Sequence, residues 1–202
     1  VYKTFIPNFS NTPKDKVSIT MPRSQTPFSL EYILLGFLAQ GPIHGYDLYK
    51  KIGHFEGIAL IWHVKQSQLY ALLDKLEKED LLTSKIVPGE AHLARKEFQI
   101  TELGKKSFLN WLASPVQHGR DMRQEFLAKL YFAQKAGVAV SLELIDQQKT
   151  VCTGWLAGLQ NNLIKTSAEE HFERMTFQYR IAQIQATLEW LEYCRGEMGA
   201  HF

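Results

Sequence analysis

The sequence is short of the features that mark several large classes of protein. It has two cysteines in 202 residues, Cys152 and Cys194, with no CxxC pair and no Cys/His cluster. A disulfide framework or a structural zinc site is therefore not expected, and a reducing cytoplasm fits. No apolar run approaches the roughly 20 residues that a membrane span needs. The N-terminus lacks the charged, apolar, small-residue order of a signal peptide. An excess of one charge is also missing: Lys+Arg number 23 against 21 Asp+Glu. Residues 21–119 hold eleven basic and ten acidic side chains, and residues 120–202 nine and ten, so no segment is strongly basic. A nucleic-acid role has to rest on local patches rather than on net charge. There is no GxGxxG, P-loop, GxSxG or HExxH motif, so nothing points to an enzyme or to a cofactor. His54 and His63 lack acidic or cysteine partners at metal-ligand spacing.

What is present is helical periodicity, interrupted once. Residues 1–27 read as a tail, punctuated by Pro7, Pro13, Pro22 and Pro27. Met21-Pro22-Arg23 resembles a natural start, which would make the first twenty residues an upstream extension. From Ser29 to Gln40 the spacing of Leu30, Ile33, Leu34, Phe37 and Leu38 predicts a helix with a broad apolar face, capped by Ser29 and ended by Gly41-Pro42. A second helix is expected from about His44 to Ile52. After an apolar connector, Leu69, Leu72, Leu73 and Leu76 recur at helical spacing. The first turns of that third helix carry Gln66, Ser67, Gln68 and Tyr70. Long, uncharged hydrogen-bonding side chains at a helix start suit base-edge reading in a major groove. They equally suit a surface helix with a polar beginning.

The period then becomes alternating. Thr83–Val87 and Arg95–Ile100 read as two strands, joined by a loop over Pro88–Ala94 with His92 near its tip. Lys85, Arg95 and Lys96 put positive charge on the stems. A hairpin directly after a helical trio is a wing, and cationic wings meet phosphate backbone. Otherwise such charges keep a sheet edge soluble. Thr101 is expected to cap a helix with Leu103, Phe108, Trp111 and Leu112 inward, and Pro115–Gly119 is the best linker candidate.

The remainder is expected to be three helices. Asp121–Gln134 carries Met122, Phe126, Leu130 and Ala133 on one face, and Ser141 is expected to cap a helix to about Ile164. Ser167 and Glu170 are spaced as a capping box for the last helix. There Phe177, Ile181, Ile184, Leu188 and Leu191 follow a heptad seam. Three helices with that much apolar face call for a partner surface, of which a twofold homodimer is the simplest.

These segments together carry a resemblance. Ile33–Ile52 with its Gly-Pro-x-His-Gly-Tyr turn, Ser67–Leu82 with Leu-Tyr-x-x-Leu-x-x-Leu, and Arg95–Leu112 resemble the PadR family of bacterial winged helix-turn-helix transcription regulators. Arg123–Ala133 resembles the start of the helical domain in longer members. The sequence departs from the family pattern at Lys65 and Gln66, where members often have Ser and then Pro or a small residue. It departs again at Ala71, where Pro is frequent. Lys65 cannot cap through its side chain, so the expected cap moves to Ser67.

The resemblance implies a mainly α fold: an N-terminal winged helix-turn-helix with a two-stranded β wing over 28–115, and a C-terminal helical dimerisation domain over 120–196. Residues 197–202 would form a tail. It implies a cytoplasmic homodimer binding double-stranded operator DNA, usually as a repressor. A transcriptional activator of the same fold and a winged-helix protein-interaction module are the alternatives. Base reading falls to Gln66, Ser67, Gln68 and Tyr70, with phosphate contacts from Lys65, Tyr46 and Lys50. Wing contacts fall to Lys85, Arg95 and Lys96, unless Arg95 fixes the hairpin. Phe126, Leu130 and the heptad residues would serve dimerisation. Trp155, Tyr179 and Trp190 would line a pocket for a small aromatic ligand, or else be ordinary core residues.

Overall fold

The computed structural model describes residues 30–55, 57–88 and 94–200. The expected tail, the Ser29 cap, the side chain of His54 and the wing tip with His92 lie outside the described residues. Helix α1 (Leu30–Leu38) is apolar almost all round, and Leu30, Ile33, Leu34, Leu35, Phe37 and Leu38 are all buried. A helix of that composition can only be a central one. The next expected helix begins later than its sequence suggests. Ile43 and His44 form a two-residue strand, β1, and α2 runs only over Gly45–Lys50 before a wide π-type turn at Lys51–Phe55. A single 3₁₀ turn, Gly57–Leu60, buries Ile58 against the same core.

Helix α3 (Gln66–Lys78) buries Leu69, Leu73 and Leu76. Lys65 takes the N-cap position in extended conformation, with no side-chain capping bond. The expected cap at Ser67 is thus corrected: the Lys65 carbonyl already accepts from Leu69 N at 3.0 Å, which makes Gln66 the first helical residue. At the other end Asp80 adopts φ 56°, and Leu81 N bonds back to the Leu76 carbonyl at 3.0 Å. This left-handed turn satisfies the last carbonyls and throws the chain into the sheet.

Strands β2 (Leu82–Pro88) and β3 (Ala94–Ile100) pair antiparallel from Leu82 opposite Ile100 to Pro88 opposite Ala94. The sheet has three strands, in the order β1-β3-β2, with Ile43 opposite Phe98 and His44 opposite Glu97. The wing is therefore anchored to the chain that precedes α2, which the two-strand expectation missed.

Helix α4 (Glu102–Ala113) starts as expected, with Thr101 Oγ1 accepting from Gly104 N at 3.0 Å. The same hydroxyl donates to the Asp80 carbonyl at 2.7 Å, and Thr101 N donates to the Leu81 carbonyl at 3.1 Å. Phe108, Trp111 and Leu112 are buried, whereas Leu103, expected inward, is 56% exposed. Gly104 lies so close to the Leu81 peptide that a Cβ there would sit 1.9 Å from its carbonyl oxygen.

The second half differs from expectation mainly at helix starts. A 3₁₀ turn occupies Gly119–Arg123, and α5 runs over Glu125–Ala136. Helix α6 (Val138–Lys165) begins directly after Gly137, at φ 129°, and Ser141 is a buried residue inside it rather than its cap. Ser141 Oγ donates to the Gly137 carbonyl at 3.3 Å. Before α7 (His171–Ala200), Glu170 accepts from Ser167 N at 2.8 Å, as in a capping box. The Ser167 hydroxyl instead accepts from Glu169 N at 3.4 Å, and the helix starts later, at His171. It continues to Ala200, through the first part of the expected tail.

Helices α6 and α7 form an antiparallel hairpin, joined near its base by Arg195 to Asp146 at 3.0 Å and by Lys149 to Glu192. Leu144, Ile145, Cys152, Ile184, Leu191 and Cys194 fill that base. Two buried polar side chains fasten the segment entering it. The Gln148 amide accepts from Val116 N at 2.7 Å and donates to Val116 O at 3.2 Å. The Lys129 ammonium, on a side chain only 2% exposed, donates to the Ser114 carbonyl at 2.7 Å and lies 3.3 Å from Glu125. Burial pushes the Lys129 pKa down, against the opposing pull of the Glu125 carboxylate.

The contact at Gly104 yields the first prediction. Gly104→Ala forces backbone apart and should cost about 3 kcal/mol of stability, read as a lower urea midpoint in far-UV circular dichroism. A variant as stable as the parent would contradict this packing.

Candidate nucleic-acid interface

The side chains of Lys65, Gln66, Ser67 and Gln68 are all exposed, at the N-terminal end of α3 ahead of its buried leucines Leu69, Leu73 and Leu76. Tyr70 is different: it is half-buried and turned toward α2. A Cβ on Gly45 would come within 2.8 Å of its ring and 3.0 Å of its hydroxyl, so the absence of a side chain at Gly45 is what admits the ring. Tyr70 does not project with the three polar residues before it. Instead it helps to line a cleft of about 350 Å³ with His44, Tyr46, Asp47, Arg95 and Lys96.

The wing cations are not equivalent. Lys85 pairs with Glu97 at 2.9 Å. Lys96 pairs with Glu77 at 2.8 Å, with Asp74 at 3.8 Å, and lies 5.1 Å from the Phe98 ring centroid. Ser84 also donates its hydroxyl to Glu77, so α3 and both long strands are tied at one carboxylate. Arg95 is exposed and has no ion-pair partner among the described residues. Tyr46 is 52% exposed, and the Lys50 ammonium sits 4.4 Å over its ring. Sequence reasoning missed His44 and Asp47 as neighbours of this group. Their place in the Gly-Pro-x-His-Gly-Tyr turn was the available signal.

The second half separates residues expected to act together. Phe126, Leu130, Ile184 and Leu191 are buried within the single chain and offer no surface to a partner as it stands. Phe177, Ile181 and Leu188 are half-buried. Of the large exposed apolar side chains of this half, Ile164, Phe172, Met175 and Tyr179 lie toward the free end of the hairpin, and Val140 and Tyr193 toward its base. Trp155, Tyr179 and Trp190 do not share one cavity. Trp190 packs edge-on against Phe126 at 6.0 Å, and Tyr179 is exposed, accepting from Gln183. Trp155 borders a cleft of about 1020 Å³ that also takes in His118, Arg120, Arg123, Arg180 and Ile184. None of those cationic residues stood out in the sequence.

His63 is exposed, and among the described residues no group of three His, Cys, Asp or Glu side chains is gathered to hold a metal ion. No described helix is long and apolar enough to cross a membrane.

A three-helix unit with a β wing, running into a helical second half, defines a winged helix-turn-helix protein. Residues 34–110 match the family model described as the transcriptional regulator PadR-like family. Residues 122–198 match the model described as virulence activator alpha C-term. A curated relative, the negative transcriptional regulator PadR of Bacillus subtilis, is 29% identical over 149 residues, 73% of this chain and 79% of the relative. Two solved structures are of Bacillus subtilis PadR. Its complex with operator DNA is 23% identical, with a TM-score of 0.43, over 84% of this chain and 98% of that one. Its complex with p-coumaric acid is 22% identical, with a TM-score of 0.38, over 87% and 99%. Over residues 34–110 the chain thus matches the PadR-like family, whose members are DNA-binding transcriptional regulators and not enzymes.

The Glu77 cluster makes a pH prediction. The Lys96 ammonium and the hydrogen bonds from Ser84 hold the Glu77 carboxyl below its ordinary range. A depressed carboxylate contributes stability above that range and loses it as pH falls through the folded-state value. Urea midpoints at pH 7 and pH 3 should therefore differ less for Glu77→Gln than for the parent. An unchanged difference would mean that the cluster carries no stability.

Proposed function

We propose that the chain is a cytoplasmic homodimeric repressor that sets α3 of each subunit into successive major grooves of a roughly palindromic operator. The observation that carries this reading is the exposed run Gln66-Ser67-Gln68, at the start of a helix that is anchored in the core by Leu69, Leu73 and Leu76. Amide side chains pair bidentately with adenine and hydroxyls pair with any base edge. Lys65, Lys50, Tyr46 and the wing residues Lys85, Arg95 and Lys96 contribute backbone contacts, which orient without specifying. Residues 28–115 form the reading head, and residues 120–196 join the two copies. The exposed Ile164, Phe172, Met175 and Tyr179 favour that joining, because single chains seldom leave such a patch open.

The cleft beside Trp155 suits a small aromatic effector, and its arginines favour one bearing an acid group. The match of residues 122–198 to a virulence activator's C-terminal model supports a second reading, an activator of the same fold. Transcription from a promoter carrying the site separates the two by sign.

Binding to a duplex from the chain's own upstream region should weaken steeply as salt rises. Binding that is absent at low salt, or indifferent to salt, would sink the DNA reading and leave a protein-interaction module. Gln68→Ala should lose preference for that duplex over a scrambled one, with the dimer intact. Phe172→Asp combined with Met175→Asp should halve the mass in light scattering while helical content persists. A dimer that survives both changes would move the interface elsewhere.

A further inference from the structure

The cleft between α2, α3 and β3 has an unusual balance of groups. His44, Tyr46, Tyr70, Arg95 and Lys96 supply hydrogen-bond donors or positive charge, against a single carboxylate, Asp47. His44 Nδ1 is buried and has no hydrogen-bond partner among the described residues. Unpaired buried nitrogen is costly and uncommon in native proteins. His44 is also not free to drift, because its backbone is paired with Glu97 in the sheet. Arg95 stands out among the wing cations, since Lys85 and Lys96 are both engaged by carboxylates of their own chain. The Tyr70 ring is fixed against Gly45, one helical turn from the exposed Gln66-Ser67-Gln68 run.

We propose that this cleft is the seat of one DNA backbone phosphodiester, held by Arg95, Tyr70 and Tyr46 with His44 in its wall, which fixes the register of α3 in the groove. The assignment rests on the DNA-binding reading above and adds a specific division of labour. Arg95 offers a planar fork of donors matched to two phosphate oxygens. The tyrosine hydroxyls donate from rings that are held in place. Lys96 adds charge at the wall while remaining tied to Glu77. Asp47 opposes the phosphate, so the seat is tuned below its strongest affinity. Tyr70 is therefore a backbone-positioning residue and not a base reader.

The test uses the full chain, fluorescence anisotropy, and two labelled duplexes, one from its own upstream region and one scrambled, across a salt series. Arg95→Ala should weaken both duplexes alike, by about tenfold, and lower the log–log salt slope by about one. Tyr70→Phe keeps the ring on Gly45 and removes only the hydroxyl, so it should weaken both duplexes with the slope unchanged. Asp47→Asn should tighten both, and that gain should shrink in the Arg95→Ala background because both groups act on one phosphate. Preference for the upstream duplex should survive all of these changes, unlike in Gln68→Ala.

Parent-like affinity and slope in both Arg95→Ala and Tyr70→Phe, with the parent binding normally, would overturn the seat alone. A parent that binds neither duplex at low salt would overturn the DNA reading itself. Inorganic phosphate added at constant ionic strength should leave duplex binding unchanged. Displacement of the duplex by it would assign the cleft to the free ion instead.

Discussion

The backbone of one residue, Leu81, holds the first half together. Its N–H closes α3 by bonding to Leu76, and its carbonyl accepts from Thr101 where β3 ends. The Gly104 backbone packs directly onto it. The end of α3, both strand ends and the start of α4 thus meet within a few atoms. The wing has no independent orientation, because its base is fixed at this corner and its stem is tied to α3 through Glu77. Everything that faces a ligand in this half inherits its position from that crossing. A side chain at residue 104 is excluded for the same reason.

Much of this was legible in sequence where short-range physics decides. The apolar spacing of Leu69, Leu73 and Leu76, the alternation of the wing strands, and Thr101 three residues ahead of Gly104 all act within one or two turns. What was illegible depends on partners far along the chain. Ile43 and His44 become a strand only because Phe98 and Glu97 lie beside them. Two residues cannot display alternation by themselves. Ser141 has the chemistry of a cap, but the backbone at Gly137 had already turned the chain into the helix. Tyr70 has the spacing of a base reader, yet the missing side chain at Gly45 draws its ring aside. The aromatic trio Trp155, Tyr179 and Trp190 is spread over different depths within the single chain, because helical spacing fixes which face a residue takes, and not how deep the neighbouring helix covers it.

The near-neutral charge of the chain also has a structural counterpart. Lys75, Lys85, Lys96 and Lys129 are all engaged with carboxylates of their own chain. Their charge is largely spent on holding elements together. A surface of that kind attracts polyanions weakly at long range. Discrimination then rests on close contacts more than on a broad field.

The grip of Gln148 and Lys129 on residues 114–116 has a mechanical meaning. A connector held by hydrogen bonds at both Ser114 and Val116 cannot swing freely, so the two halves share one pivot. Helix α6 extends from that pivot over 28 residues, a length of about 42 Å. A tilt of about 5° at its base carries the far end through about 4 Å, roughly the step between neighbouring residues along the chain. The hairpin is a lever, and its leverage lies in the stiffness of its fulcrum. Small changes at the base become large changes in the distance over which the molecule reaches.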